Sequence, residues 1–146
     1  MKLVFNFNVA KAPNDVFKFI ATDLFENHQK WDPSIAEITK LTKGPVGKGT
    51  KGQEVHYFLG KRVTDFEFTD YQPNKTYTTT NTSGPFWLVR TYGLKPAGAG
   101  TAVNFVFDLK LRTKAIAPLY PLLKIIFKKE VNHNVGLLKE LLASSV

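Results

Sequence analysis

The stretch from Lys114 to Leu142 constrains the fold most, because its apolar residues recur at steps of three and four positions. That spacing places them on one face of a helix, with lysines 124, 128 and 139 on the opposite side. Proline is tolerated only in the first turn of a helix, so Pro118 and Pro121 predict a regular helix that begins near Pro118 or later. The apolar face comprises Leu119, Leu122, Leu123, Ile126, Phe127, Leu137, Leu138, Leu141 and Leu142.

Polar residues interrupt the middle of this apolar face. Glu130 and Asn134 project onto its centre, and His133 projects onto its edge. An unpaired buried carboxylate is costly, so Glu130 must meet a cation, a proton or water. Among the basic residues, Arg90 is the best candidate for this cation, because the strand that carries it is otherwise apolar. This pattern predicts a polar anchor for the head group of a ligand. The alternatives are a structural ion pair and a Glu130 side chain that reaches solvent at a kink near Gly136.

Most of the chain before this helix has the pattern of β-strands. Alternating apolar residues predict a first strand over residues 1–10, followed by a helix that opens at Pro13 and a second short helix over residues 24–30. The connections between the later strands are short, so neighbouring strands must be antiparallel. The last strand alternates apolar and polar residues, which gives the sheet the dry face that the long helix needs. The six later strands are predicted at residues 35–42, 52–60, 62–71, 75–82, 85–95 and 101–112.

Composition limits the class of protein. The length of 146 residues predicts one domain, over residues 1–146, and 43% apolar residues fit a globular fold with its own core. There is no cysteine, which excludes disulfides and thiol catalysis and is compatible with a reducing compartment. The sequence has no run of about 18 apolar residues. Its first residues alternate as a strand rather than forming a signal peptide, so we expect a cytoplasmic protein.

Positive charge is concentrated in the second half of the chain. Residues 1–73 hold ten Lys or Arg against nine Asp or Glu, whereas residues 74–146 hold ten against three. Such a surface suits nucleic acid, an anionic membrane or an acidic partner, or it simply keeps the protein soluble, which we favour. Nucleic acid is disfavoured because the basic residues lack interleaved aromatic residues. Peripheral contact with an anionic membrane stays an alternative.

Several short patterns, in their order along the chain, resemble segments of the SRPBCC superfamily. They are Ala12-Pro13-Asn14-Asp15-Val16-Phe17, Asp23 followed by Trp31-Asp32-Pro33, Gly44-Pro45-Val46-Gly47-Lys48-Gly49-Thr50, Asp70-Tyr71-Gln72-Pro73-Asn74 and Gly98-Ala99-Gly100-Thr101. This superfamily includes START lipid-binding domains, the birch-pollen allergen and a branch similar to polyketide cyclases and dehydrases. The resemblance covers nearly the whole chain. It implies an α+β helix-grip fold, in which a curved antiparallel sheet of about seven strands, in the order β-α-α-β6-α, wraps around a long C-terminal helix.

The resemblance also implies a ligand cavity between the sheet and the helix. Members bind lipids, sterols, hormones, quinones, polyketides or aromatic substrates there. They share no catalytic motif, so we assign no catalytic residue and expect no cofactor. Aromatic residues could line this cavity or could belong to the ordinary core. The candidate ligand-binding residues are Trp31, His56, Phe66, Phe68, Trp87, Arg90, Tyr92, Phe105, Phe107, Phe127, Glu130 and Asn134.

The three histidines are widely spaced in the sequence, so no metal site is predicted. His28 is expected at the surface. His56 and Glu54 would form an acid–base pair if both side chains faced inward. We expect them to face outward, because Val55, Tyr57 and Leu59 would then fill the core.

Three functions follow as hypotheses. The first is a carrier or sensor, monomeric or homodimeric, that binds a small hydrophobic ligand without catalysis. The second is a cyclase, dehydratase or isomerase, whose acid–base candidates are Glu130, His56, Arg90 and Tyr92. The third is a basic membrane-surface or chaperone-like module. Two or more titratable groups within hydrogen-bond reach in the cavity would favour the enzyme, whereas a lone polar anchor would favour the carrier.

Overall fold

The computed structural model of the protein describes residues 1–57 and 60–144. In this part of the chain seven strands form one antiparallel sheet, in the order β1-β7-β6-β5-β4-β3-β2. With the long C-terminal helix packed against it, this sheet confirms the predicted helix-grip fold. The predicted end of the third strand includes Phe58 and Leu59, which lie outside the described residues. The strands are β1 (Lys2–Val9), β2 (Ile35–Lys40), β3 (Lys51–Tyr57), β4 (Lys61–Gln72), β5 (Thr76–Asn81), β6 (Phe86–Ala97) and β7 (Gly100–Leu111).

Helices lie between β1 and β2 and after β7. Pro13 occupies the first turn of its helix, where the missing N–H group is not needed. The regular C-terminal helix begins just after Pro118, as the two prolines predict. Among the described helices, none has the length and apolar character needed to cross a membrane. The helical elements are α1 (Pro13–Phe17), a π-helical turn (Lys18–Thr22), α2 (Leu24–Trp31), a 3-10 turn (Lys114–Leu119) and α3 (Tyr120–Ser144).

A row of aromatic rings crosses the inner face of the sheet. Phe5, Phe105, Tyr92 and Tyr77 lie opposite one another on β1, β7, β6 and β5. Their ring centroids are 5.9 Å, 4.3 Å and 5.2 Å apart in that order. Cross-strand pairs of this kind stabilise a sheet by up to about 1 kcal/mol each. The Tyr77 hydroxyl also donates a hydrogen bond to the Ile20 carbonyl oxygen at 2.9 Å, which joins the π-helical turn to the sheet.

The first turns of α3 bury a different face from the predicted one. Leu123, Leu138 and Leu142 are buried, as their spacing predicts. Leu119 and Leu122 are instead 55% and 57% exposed. These turns are apolar on nearly every side, so the spacing of the residues alone does not define the side that packs on the sheet.

Candidate functional site

A cavity of about 110 Å³ lies between the inner face of the sheet and the helices α2 and α3. Aromatic and aliphatic side chains form most of its wall, and polar groups from α2, the connection after it, β3 to β6 and α3 form the rest. The structure brings nine of the predicted ligand-binding residues to this wall. They are Trp31, His56, Arg90, Tyr92, Phe105, Phe107, Phe127, Glu130 and Asn134. Their part in binding a ligand stays a prediction.

The other three predicted residues do not line the cavity. Phe66 and Phe68 are buried against Phe25, with ring centroids 5.9 Å and 6.3 Å from it, and belong to the core beneath α2. Trp87 is 46% exposed, and the Arg112 guanidinium lies 3.6 Å from its ring centroid. Successive residues of a strand point to opposite faces, so Trp87 points outward because its neighbours on β6 point into the cavity.

Glu54 is the centre of a buried ionic cluster beside the cavity. It lies on β3 and is 1% exposed. Its Oε1 accepts a hydrogen bond from Arg90 Nη1 at 3.2 Å, and its Oε2 accepts one from His56 Nε2 at 2.8 Å. His28 Nδ1 lies 3.3 Å from Oε1, off the line of a good hydrogen bond. The partners come from α2, β3 and β6 and together offset the loss of water around the carboxylate.

The orientation of β3 therefore differs from the predicted one. Glu54 and His56 face inward rather than outward, and Tyr57 is 64% exposed instead of filling the core. Val55, also expected in the core, is only half-buried, and Leu59, the third residue of that prediction, lies outside the described residues. The outward orientation suits an isolated half-buried strand, but Arg90 supplies the opposite charge that makes a buried Glu54 tolerable.

The electrostatics of the cluster keep Glu54 ionised. Burial alone would raise the pKa of the Glu54 carboxyl, but the Arg90 charge and the nearby imidazoles outweigh burial and hold this pKa well below its usual range. Burial would lower the pKa of the Arg90 guanidinium, but the carboxylates of Glu54 and Asp32 raise it. Burial raises the pKa of the Tyr92 phenol, which therefore stays neutral and can donate a hydrogen bond.

A second set of polar groups continues from His56 to α3. Ser34 Oγ lies 3.3 Å from His56 Nδ1 and donates a hydrogen bond to Asp32 Oδ1 at 2.6 Å. Glu130 of α3 lines the same cavity as Ser34 and His56. Burial raises the pKa of the Glu130 carboxyl, and Asp32 adds to this rise, against the opposing influence of Ser34, His56 and Arg90. Glu130 therefore keeps its proton to a higher pH than a glutamate in open solvent.

Arg90 pairs with Glu54 and not with Glu130, the carboxylate for which the sequence offered it as a partner. Within residues 1–57 and 60–144, no cation lies within ion-pair distance of Glu130. The helix α3 also continues through Gly136 without interruption, so no break at that position carries the half-buried Glu130 into solvent. The polar interruption of α3 therefore faces the cavity through hydrogen-bonding groups and not through an ion pair.

Sequence reasoning missed six polar residues of the cavity wall, namely His28, Asp32, Ser34, Arg62, Thr64 and Asn81. An Asp followed two residues later by Ser, just after a helix, is a turn signal that could have indicated the Asp32–Ser34 hydrogen bond. No local signal brings His28 or Arg62 to the cavity. His28, expected at the surface, is buried because α2 packs over β3, and Arg62 lies opposite His56 through strand pairing. In the described part of the chain, no three or more His, Cys, Asp or Glu side chains are grouped so that they could hold a metal ion.

Comparisons with known proteins agree with this architecture. The family model described as polyketide cyclase / dehydrase and lipid transport matches residues 5–143. The chain matches none of the curated proteins. Its fold is similar to that of a START superfamily protein from Mycobacterium smegmatis, with a TM-score of 0.74, 15% identity, and coverage of 95% of this chain and 94% of the other.

Two further solved structures share the fold. The protein Ara h 8.0201 has a TM-score of 0.66 and 16% identity, with coverage of 94% of this chain and 97% of the other. The di-domain ARO/CYC protein StfQ from the steffimycin biosynthetic pathway has a TM-score of 0.71 and 12% identity. That match covers 95% of this chain and 49% of StfQ. At these identities the likeness shows a common fold.

Proposed function

Because the chain belongs to the polyketide cyclase / dehydrase and lipid transport family, we propose that it binds a small, mainly apolar molecule that carries a neutral hydrogen-bonding group. Its fold is one that binds hydrophobic ligands. The observation that carries the proposal is the cavity, whose wall combines a mainly apolar surface with polar side chains that include Arg90 and Glu130. Sites for small molecules have this composition, in which an apolar wall supplies affinity and a few polar groups fix orientation.

The size of the cavity limits the ligand. Pockets for drug-sized molecules measure about 300–1,000 Å³, whereas this cavity measures about 110 Å³. An apolar cavity of about 150 Å³ in another protein accommodates benzene. The volume therefore favours a molecule of about one ring, or a longer one that extends past the half-buried Phe127 towards the surface.

The polar side of the cavity favours a neutral group on the ligand. Glu54 already neutralises Arg90, so neither charge needs a counter-ion from a ligand. Glu130 and Asn134 lie one turn apart on α3 and retain hydrogen-bonding capacity. A hydroxyl or carbonyl group on the ligand can bond to either side chain without the desolvation that a charged group would require.

Native mass spectrometry tests this proposal. Protein purified from its host should carry an apolar adduct of low mass, which dissociates on denaturation. Val131→Phe places a ring in the cavity wall and should remove the adduct. Val106→Phe, on the outer face of β7, is the matched control and should retain it. An absent adduct in the wild type, together with no binding of single-ring alcohols and ketones by calorimetry, would refute the proposal.

Acid–base catalysis on the bound molecule is a second candidate function. The observation that favours it is convergence, because His56, Arg90 and Glu54 lie within hydrogen-bond reach beside the cavity. Both ring nitrogens of His56 already face protein partners. The raised pKa of Glu130 makes its carboxyl the group that can give a proton to a departing hydroxyl, which leaves as water. The Glu130 carboxylate so formed can take the proton that the neighbouring carbon loses as the C=C bond of the product forms.

Glu130→Gln separates the two candidate functions. For an enzyme, this variant should still bind the molecule identified by mass spectrometry but should no longer convert it. Glu140→Gln, on the exposed part of the same helix, is the matched control and should convert it at the wild-type rate. If incubation with the wild type leaves the molecule chemically unchanged, the protein is a carrier or sensor of it.

A further inference from the structure

Exposed apolar side chains gather at the end of the sheet that holds the cavity. We call this the cavity end: β3, β5 and β7 finish there, and β4 and β6 begin there. Monomeric proteins seldom expose grouped large apolar side chains without a functional reason. Of the eight large apolar residues that are exposed in the described chain, six belong to this end, to the 3-10 turn that follows β7 or to the start of α3. They are Tyr57, Val63, Trp87, Leu119, Leu122 and Ile125.

The start of α3 supplies the most pronounced part of this surface. Leu122 and Ile125 are 57% and 58% exposed. At 100° per residue both project away from Leu123, which packs into the core. Lys129 follows Ile125 by four residues and therefore lies on the same outward side. An apolar stripe bordered by lysines is the pattern of a helix that lies in the interface of a membrane.

Positive charge is concentrated in the segment of the chain that contains this stripe. Residues 109–129 contain six Lys or Arg and no Asp or Glu. One of them, Arg112, lies over the ring of the exposed Trp87, which places a cation beside an aromatic ring of the kind found at membrane interfaces. The six are Lys110, Arg112, Lys114, Lys124, Lys128 and Lys129.

We propose that the cavity end docks on an anionic lipid bilayer. Leu119, Leu122 and Ile125 enter the headgroup region, and the surrounding lysines contact the anionic headgroups. Charge selects this partner over a second copy of the chain, because two surfaces with this excess of positive charge repel each other. The exposed aliphatic side chains select it over a nucleic acid, whose phosphates would leave them without an apolar partner.

The cavity lies at the end of the molecule that would contact the bilayer. Arg62, Phe86 and Phe127 line the cavity at the same end of the molecule. On a docked protein, an apolar molecule could pass between cavity and bilayer with little exposure to water. Docking itself requires no ligand, so it can be tested separately from ligand binding.

Vesicle sedimentation tests the docking. The wild type should bind vesicles of phosphatidylcholine mixed with phosphatidylglycerol, bind pure phosphatidylcholine vesicles weakly, and dissociate as NaCl is added. Lys128→Gln with Lys129→Gln should weaken binding by about 30-fold, since each basic residue near an anionic surface contributes about fivefold. Lys48→Gln with Lys51→Gln, at the opposite end of the sheet, is the matched control and should bind like the wild type.

The apolar stripe has its own pair of variants. Leu122→Ser with Ile125→Ser should weaken vesicle binding by about tenfold or more, because two partly exposed side chains no longer enter the bilayer. These side chains do not line the cavity, so the variant should retain the native circular dichroism spectrum and any co-purified adduct. Leu41→Ser removes a comparably exposed leucine, 53% exposed, from the opposite end and should leave binding unchanged.

Three outcomes would overturn the proposal. They are equal binding to neutral and mixed vesicles, equal loss in the Leu41→Ser control, and self-association of the wild type that is abolished by the Leu122→Ser and Ile125→Ser changes without any vesicle binding. Val131→Phe should dock normally even if it loses its ligand. Loss of docking and loss of ligand binding can therefore be told apart.

Discussion

Replacing Arg90 with methionine should destabilise the protein strongly, because Glu54 would remain buried without its guanidinium partner. Arg90 Nη1 lies 3.2 Å from Glu54 Oε1, and Glu54 is 1% exposed. Methionine retains much of the length of the arginine side chain, so most of the effect comes from the lost charge. The imidazoles of His28 and His56 are the remaining partners of the carboxylate.

The size of the effect follows from the burial of the pair. Removal of one partner from a buried ion pair costs about 3–5 kcal/mol of the free energy of unfolding. A domain of this kind has about 5–15 kcal/mol in total, so the variant should remain measurable in urea. The double variant Arg90→Met, Glu54→Gln removes both charges. It should be more stable than the sum of the two single losses predicts, with a coupling free energy of about 2–3 kcal/mol.

The pH dependence gives the same test a second readout. In the wild type, the folded-state pKa of Glu54 lies below the unfolded value of about 4.3. Its stabilising contribution is therefore fully present above that pH and is lost as the pH falls through the folded pKa. Without Arg90, burial should raise this pKa above the unfolded value. The cost of burying the ionised Glu54 carboxylate is then present at neutral pH, and it disappears as acid protonates this carboxylate. Urea unfolding below the unfolded pKa should show a smaller deficit than unfolding near neutrality.

Two results would refute this reasoning. The first is a loss of less than about 1 kcal/mol in Arg90→Met, the range of a solvent-exposed ion pair. The second is a double variant whose loss equals the sum of the single losses. Arg90→Lys preserves the charge but not the shape of the guanidinium, and should lie between the wild type and Arg90→Met.

Three further changes can be measured by thermal and urea unfolding. Gly136→Ala should raise the free energy of unfolding by about 0.5–1 kcal/mol, because Gly136 is exposed in the interior of α3 and a methyl group there meets nothing. Gly100→Ala should lower it by about 1–3 kcal/mol, because the added carbon would collide with the carbonyl oxygen of Val9 and force the backbone to move. Glu130→Gln should stabilise the protein at neutral pH. The folded pKa of Glu130 is raised, so its penalty is absent below the unfolded pKa and appears as the pH rises through the folded pKa. Equal stability of Glu130→Gln and wild type at neutral pH would contradict that pKa direction.

The sheet could be predicted from the sequence because the alternation of the strands and the glycines of the turns indicate the same structure. Gly44 and Gly49, for example, adopt φ angles of 90° and 92° in the connection between β2 and β3, where their spacing indicates a turn. The start of α3 could not be oriented in this way. Leu122 and Leu123 are chemically identical, and only the extent of the sheet beneath the helix buries one and exposes the other.

The candidate site was predictable where a polar residue interrupts an apolar pattern. Glu130 stands out on α3 for this reason, and it does line the cavity. Glu54 gives no such signal, because an alternating strand can turn either face towards the core. The alternation alone therefore does not show which set of side chains is buried. The choice depends on Arg90, which is 36 residues away in sequence, and on how α2 packs. Single-sequence reasoning has no access to those contacts.

The two arginines of the cavity wall, Arg90 and Arg62, differ in whether a carboxylate pairs with them, and this difference affects which ligands the cavity can bind. Arg90 is already paired with Glu54, so an anionic ligand beside it would have to displace a carboxylate at 3.2 Å and would approach Asp32 as well. Arg62 differs. It is half-buried over the Phe86 ring at 5.4 Å, and no carboxylate in the described chain lies within ion-pair distance of it. We therefore expect a neutral hydroxyl or carbonyl group to bind beside Glu130. Any anionic group on the same ligand should bind at the cavity end beside Arg62, which of the two described arginines in the cavity wall is the one that offers a counter-ion without breaking an existing pair.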